Sequence, residues 1–131
     1  MSSFVSTPGA LESHAALSYF QNLLKSETDC SDVHQTIVNG SKDFVLLDVR
    51  SAQAYRQSHL ETAINLPHRE INEDTLADFP AHTLFVVYCA GPHCNGADKA
   101  AEKLAQLKRP VKKMIGGISG WLEEGLSLIA E

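Results

Sequence analysis

The amino-acid sequence predicts an α/β domain in which a parallel sheet is covered by helices on both faces. Short apolar runs alternate with stretches of helical periodicity, and the connections between them are short and marked by Pro and Gly. Leu84-Phe85-Val86-Val87-Tyr88 is almost wholly apolar and rich in β-branched valine, as in a strand buried on both faces.

The elements follow in order. Over residues 10–25, Leu11, Ala15, Ala16, Tyr19, Phe20, Leu23 and Leu24 recur at steps of three and four, so this stretch predicts an N-terminal helix, with Thr7-Pro8 as its start. Residues 26–30 predict a short strand and 32–38 a second helix, which Asn39-Gly40 stops. Residues 43–49 predict a buried strand, 51–59 a short helix, 63–66 a strand closed by Pro67, and 73–79 a helix bounded by Pro80. After the strand at 84–88, Ala97, Ala100, Ala101, Leu104 and Leu107 repeat at helical spacing until Pro110. Residues 111–115 read as the last strand, Gly116-Gly117 as a turn, and 118–124 as a closing helix ended by Gly125.

With 131 residues the chain can bury one core without disulfide or metal staples, so residues 10–131 are expected to form one domain behind a flexible N-terminus at 1–9. A hydrophobic fraction of 44% with no apolar run near the roughly 18 residues of a membrane span argues against a membrane partner. Eleven Lys and Arg against sixteen Asp and Glu give a net charge of -5, which argues against nucleic acid. Residues 1–9 lack the basic and apolar regions of a secretory signal, and the three cysteines do not suggest a disulfide framework, so a reducing, cytoplasmic location is expected.

In a parallel sheet, ligand sites lie beyond the carboxyl ends of the strands. Cys89 follows the central strand directly, and Ala90-Gly91-Pro92-His93-Cys94 leads to a helix whose expected cap is Asn95, with Asp98 as capping-box partner. A helix N-terminus stabilises an anion in front of it, which favours the thiolate, the nucleophilic form of cysteine. Small residues such as Ala90, Gly91 and Gly96 would let the loop curl so that several amides converge on the Cys89 sulfur. Against this stands the common case of an inert, buried cysteine. The strand end and the glycine-containing loop favour a functional thiol.

With these residues in view the chain resembles the rhodanese-like domain family, from about residue 26 to 128. The resemblance rests on Leu46-Leu47-Asp48-Val49-Arg50, Ala54-Tyr55-Arg56-Gln57-Ser58-His59-Leu60, Ala63-Ile64-Asn65-Leu66-Pro67, Val86-Val87-Tyr88-Cys89 and Ile115-Gly116-Gly117-Ile118-Ser119-Gly120-Trp121. It implies a five-stranded parallel sheet flanked by helices, and a sulfurtransferase without cofactor. Cys89 would accept sulfane sulfur from a small anionic donor such as thiosulfate and pass it to cyanide, a thiol or a protein acceptor. Asp48, Arg50 and His59 match positions that are mainly structural in the family; charges at a strand end are tolerated when paired. Ser58 and Thr62 stand where the family commonly has glycine, and Cys94 stands where many relatives carry a basic residue, in a loop about two residues longer than the common form.

Cys94 has three readings: a small side chain packed beneath the loop, a thiol that resolves a persulfide on Cys89 into a disulfide, or the sulfur acceptor itself. A five-residue separation across a loop with glycine and proline brings a Cys89–Cys94 disulfide within reach, leaving Cys30, in the first predicted strand, outside it. His93 and Lys99 could supply positive charge to an anionic donor or be solvated surface groups. The other histidines, His68 among them, receive no role, and Trp121 is read as packing. Cys89, His93 and Cys94 could be zinc ligands, but no second Cys or His pair supplies a fourth, so no metal is expected. A phosphatase would need an arginine clamp, and residues 89–99 contain none. The serious alternative to an enzyme is a sensing or protein-binding module that uses the same two thiols.

Overall fold

The computed structural model describes residues 1–41 and 43–131. The chain runs α1 (Ser13–Ser26), β1 (Glu27–Thr28), α2 (Cys30–Val38), β2 (Val45–Asp48), α3 (Ala52–Gln57), β3 (Ile64–Asn65), a 3₁₀ turn (His68–Glu70), β4 (Phe85–Tyr88), α4 (Gly96–Gln106), β5 (Val111–Met114) and α5 (Gly117–Glu123). The five strands form one parallel sheet in the order β1-β5-β4-β2-β3. β4 is therefore central, as its uniform apolarity requires, and all four of its residues are buried.

The two-residue period of the strands divides the core. Leu47, Phe85, Val87 and Cys89 point to one face and pack with Ala97, Ala100 and Leu104 of α4, while Leu46, Val86, Tyr88 and Met114 point to the other and pack with Val33 of α2 and Trp121 of α5. Trp121 is packing, and its indole N–H donates to Ser127 O at 3.0 Å.

Several boundaries differ from the sequence reading, each for a physical reason. α1 starts at Ser13 and not near Thr7-Pro8; its first cap, Glu12, makes no side-chain cap bond, and none of its residues is fully buried. Cys30 is not in a strand: Asp29 accepts from Asp32 N at 2.8 Å, and this cap starts α2 at Cys30. Residues 73–79 form successive turns instead of a helix. Asn72 and Thr75 exchange backbone-to-side-chain bonds of 2.9 and 3.0 Å, as at a helix start. The carbonyls that a further helical turn would use are then taken by the Arg109 guanidinium, which donates to Leu76, Phe79 and Pro80.

At the carboxyl end of β2 the charges are paired. Asp48 is fully buried and accepts from Arg50 Nη2 at 2.7 Å, Arg50 Nε at 3.1 Å, Arg50 N at 3.0 Å and Tyr88 Oη at 2.6 Å. The parallel register places Asp48 beside Tyr88, and Tyr88 Oη in turn accepts from Leu60 N at 3.1 Å. Burial, then the charge of Asp48, hold the Tyr88 phenol well above its ordinary range, so it stays a donor. His59 is buried on Tyr55, rings stacked at 3.7 Å, and its backbone pairs with Ile129. Thr62 has φ 72, the left-handed conformation that suits glycine, whereas Ser58 is extended.

Candidate functional site

All the loops that leave the carboxyl ends of the strands meet at one side of the sheet, and Cys89 lies at the centre of that side because β4 is the central strand. The Cys89 carbonyl accepts from Ile118 N at 3.1 Å, and the Ala90 carbonyl from Ser119 N at 2.9 Å and Ser119 Oγ at 3.2 Å. The start of the loop is thus fastened to the first turn of α5. Close approach there depends on Gly117: at φ 57, a Cβ on it would run into the Cys89 carbonyl and lie 2.9 Å from Gly91 N.

The loop then turns back through Cys94 N donating to Gly91 O at 3.1 Å. This brings the Cys94 sulfur into bonding contact with that of Cys89, with the Cα atoms 6.5 Å apart, inside the range a disulfide needs. Gly96 makes room for both: a Cβ there would lie 2.9 Å from Cys89 Sγ, 3.4 Å from Cys94 Sγ and 3.6 Å from His68 Cδ2. Cys89 is 7% exposed, whereas Cys94 is exposed on the surface of the loop and so is not packed beneath it.

The expected convergence of amides on Cys89 is not seen. Among the described residues the one amide that reaches a sulfur is Gly96 N, which donates to Cys94 Sγ at 3.4 Å. Asn95 makes no side-chain cap bond, and Asp98 is not its partner but accepts from Lys113 Nζ at 2.9 Å. The helix start still faces the sulfur pair, with the amide of its first residue spent on Cys94.

Two crevices flank the sulfurs. The larger, of about 460 Å³, is floored by Val49, Ala54 and Pro67 and bordered by Arg50, His68 and Arg69, with Ala90, Asn95 and Gly96 on the loop side. The smaller, of about 230 Å³, lies on the opposite side, between Pro92, Asp98, Lys113 and Gly117. Cys89 and Cys94 line both crevices. His93 is exposed and borders neither, and His59 also stands away from both. Lys99, in the first turn of α4, is exposed, and its charge is felt at His68.

His68 and Arg69, which border the larger crevice, are lining residues of the candidate site that the sequence reading did not single out. His68 N donates to Val49 O at 3.1 Å, and its own carbonyl accepts from Lys103 Nζ at 3.0 Å, so the 3₁₀ turn is fixed against both β2 and α4. Burial, with Lys99, Arg69 and Lys103 nearby, holds the His68 imidazole below its ordinary value and favours the neutral ring. A signal was available: Pro67-His68-Arg69 follows a parallel strand, so it must emerge on the same side as Cys89. The remaining cysteine, Cys30, is buried, donates to Ile115 O at 3.5 Å, and has its thiol pushed up to about 11, chiefly by burial.

A buried thiol and an exposed one in contact, beside an apolar crevice with cationic borders, can attack an electrophilic sulfur, hold an added sulfur atom, and oxidise to a disulfide. Among the described residues no group of three or more His, Cys, Asp or Glu could hold a metal ion, and no helix is long and apolar enough to cross a membrane.

Comparison with known proteins agrees with this fold. The family model described as Rhodanese-like domain matches residues 30–124. A crystal structure of a Bacillus halodurans protein is 40% identical, with a TM-score of 0.86 over 89% of this chain and 85% of that one. A thiosulfate sulfurtransferase from Pseudomonas aeruginosa, 20% identical, has a TM-score of 0.64 over 81% of this chain and 20% of its own, a likeness of fold. An HTH-type transcriptional regulator of Mycobacterium tuberculosis is 33% identical over 84 residues, which are 64% of this chain and 37% of that protein. The chain therefore spans little more than a third of that curated relative's length.

Proposed function

Because the chain belongs to the rhodanese-like domain family, we propose that it is a sulfurtransferase that carries sulfane sulfur as a persulfide on Cys89. The observation that carries this reading is the position of Cys89, at the carboxyl end of the central strand and open to a crevice bordered by His68 and Arg69. The Cys89 thiolate attacks the outer sulfur of an anionic donor such as thiosulfate; a Cys89–sulfur bond forms, the donor's S–S bond breaks, and sulfite leaves with the electron pair. A thiophilic acceptor, whether cyanide, a small thiol or a cysteine of another protein, then takes the outer sulfur and returns Cys89 as thiolate. The guanidinium of Arg69, with Lys99 and Lys103 nearby, favours approach of the anionic donor.

A Cys94→Ser protein, which has no second thiol beside Cys89, reduced with a dithiol, freed of it, and incubated with thiosulfate, should gain one sulfur on Cys89, read by mass spectrometry of the peptides. Cys89→Ser should lose transfer to cyanide. If Cys89→Ser transfers sulfur normally while Cys94→Ser does not, the acceptor is Cys94 and the assignment is reversed.

A second reading, a thiol-based sensing module, draws on the contact of the two sulfurs and on the relative named as a transcriptional regulator. It predicts that Cys89 loads or oxidises once and that no acceptor is turned over. Steady-state turnover with cyanide separates the two readings.

A further inference from the structure

Cys94 stands at a place that the transfer of sulfur by Cys89 does not use. Its sulfur touches that of Cys89, its Cα lies 6.5 Å away, and the side of Gly96 that a Cβ would fill is occupied by both sulfurs. The start of the loop is fastened by Ile118 and Ser119, so Cys89 is fixed, while Cys94 sits at the exposed end of a turn closed by one backbone bond to Gly91. The amide of Gly96 donates to Cys94 Sγ at 3.4 Å, which holds that sulfur at the start of α4.

We propose that Cys94 resolves the Cys89 persulfide, which gives the protein a second activity: reductive release of sulfide from sulfane sulfur. The proposal rests on the Cys89 persulfide of the preceding section. The Cys94 thiolate attacks the inner sulfur, Cys89 Sγ. A Cys89–Cys94 bond forms, the bond from Cys89 Sγ to the outer sulfur breaks, and that sulfur leaves with the electron pair as hydrosulfide. The sulfane sulfur is reduced and the two thiols are oxidised, so no outside oxidant enters. Regeneration consumes a dithiol. Because Cys89 is buried and Cys94 exposed, the reductant attacks Cys94 Sγ, and Cys89 leaves as the thiolate that accepts the next sulfur.

The test is one turnover without reductant or oxygen. Reduced protein, freed of reductant, receives one equivalent of thiosulfate; free sulfide is followed from the moment of mixing with a methylene-blue readout, and peptides are mapped with thiols blocked at low pH. The wild type should release about one sulfide per chain and end as the Cys89–Cys94 disulfide. Cys94→Ser and Cys94→Ala, changed at an exposed position, should keep the added sulfur on Cys89 and release at least tenfold less sulfide. A wild-type persulfide as long-lived as that of the variants overturns the resolving role and leaves the Cys89 reading standing. Sulfide release with a disulfide to Cys30 also overturns it. If neither the wild type nor the variants take up sulfur at all, the persulfide reading itself fails, and the resolving role with it.

Discussion

Two glycines three residues apart in α5 should respond to alanine with opposite signs. At Gly117 a Cβ would meet backbone atoms alone: the Cys89 carbonyl, Gly91 N at 2.9 Å and Ala90 C at 3.1 Å, and its φ of 57 is one that L side chains rarely adopt. No side-chain rotation can relieve such a contact, so Gly117→Ala combines a left-handed backbone penalty with overpacking, together about 2–5 kcal/mol. At Gly120 the nearest atom to a Cβ is Cys30 Sγ at 3.5 Å, ordinary contact, and the residue is helical. Gly120→Ala should be neutral or stabilising by up to about 1 kcal/mol, from a less flexible unfolded chain and better helix propensity. For a domain of this size the Gly117 variant should melt on the order of 10 °C or more below the Gly120 variant. Urea and thermal unfolding of both, monitored by circular dichroism, provide the measurement. Sulfur uptake should fall in the Gly117 variant as well, because the displaced carbonyl is that of Cys89. Two variants within about 0.5 kcal/mol of each other would refute the claim that the α5 backbone is seated directly on the Cys89 loop.

Asp48→Ala should cost about 3–5 kcal/mol, since it strands the half-buried Arg50 guanidinium and the Tyr88 hydroxyl; Tyr88→Phe, which loses the bond to the Asp48 carboxylate and leaves the buried Leu60 N without its acceptor, should cost about 2–4 kcal/mol. A chemical-denaturation series that ranks them the other way would contradict the network as described. His68 has a lowered folded value against an ordinary 6.5, so the unfolded chain takes up its proton first as pH falls. Its contribution to stability is present above 6.5, declines as pH drops through the window below, and is constant beneath the folded value. Replacing His68 with Gln should flatten that part of the pH dependence, and an unchanged curve in the variant counts against the assignment. Cys30, its thiol pushed up to about 11, should resist iodoacetamide at mildly alkaline pH while reduced Cys94 is alkylated. Equal labelling of the two, read by peptide mass, would contradict its burial.

Most of the fold was legible because the signals were local. The run from Leu84 to Tyr88 can satisfy its backbone and bury both faces only as a central strand, and Pro110 leaves α4 no continuation past its last turn. The helix expected at 73–79 failed because the competitor was distant: Arg109 takes the carbonyls of Leu76, Phe79 and Pro80, and no local pattern announces a guanidinium some thirty positions away. Asn95 and Asp98 have the residue types of a capping box, yet Lys113, on the neighbouring β5, draws Asp98 away. The site was legible along the loop, since Cys89 and Cys94 are close in sequence and meet through one turn. His68 and Arg69 come from another strand's exit, and only the order β5-β4-β2-β3 brings them across from Cys89. The fastening of the loop by Ile118 and Ser119 was likewise hidden, because Gly116-Gly117 reads as a turn before it reads as a contact surface.

The outer strands of the sheet, β1 and β3, are two residues each. A strand edge recruits other chains through its row of unpaired N–H and C=O groups, and two residues offer too short a row to register a newcomer. On the β1 side, Lys112 Nζ donates to Leu24 O in the last turn of α1, at 3.1 Å. Both margins of the sheet thus present short rows for strand addition. The loop side that holds the two sulfurs lies apart from these margins, at the carboxyl ends of the strands.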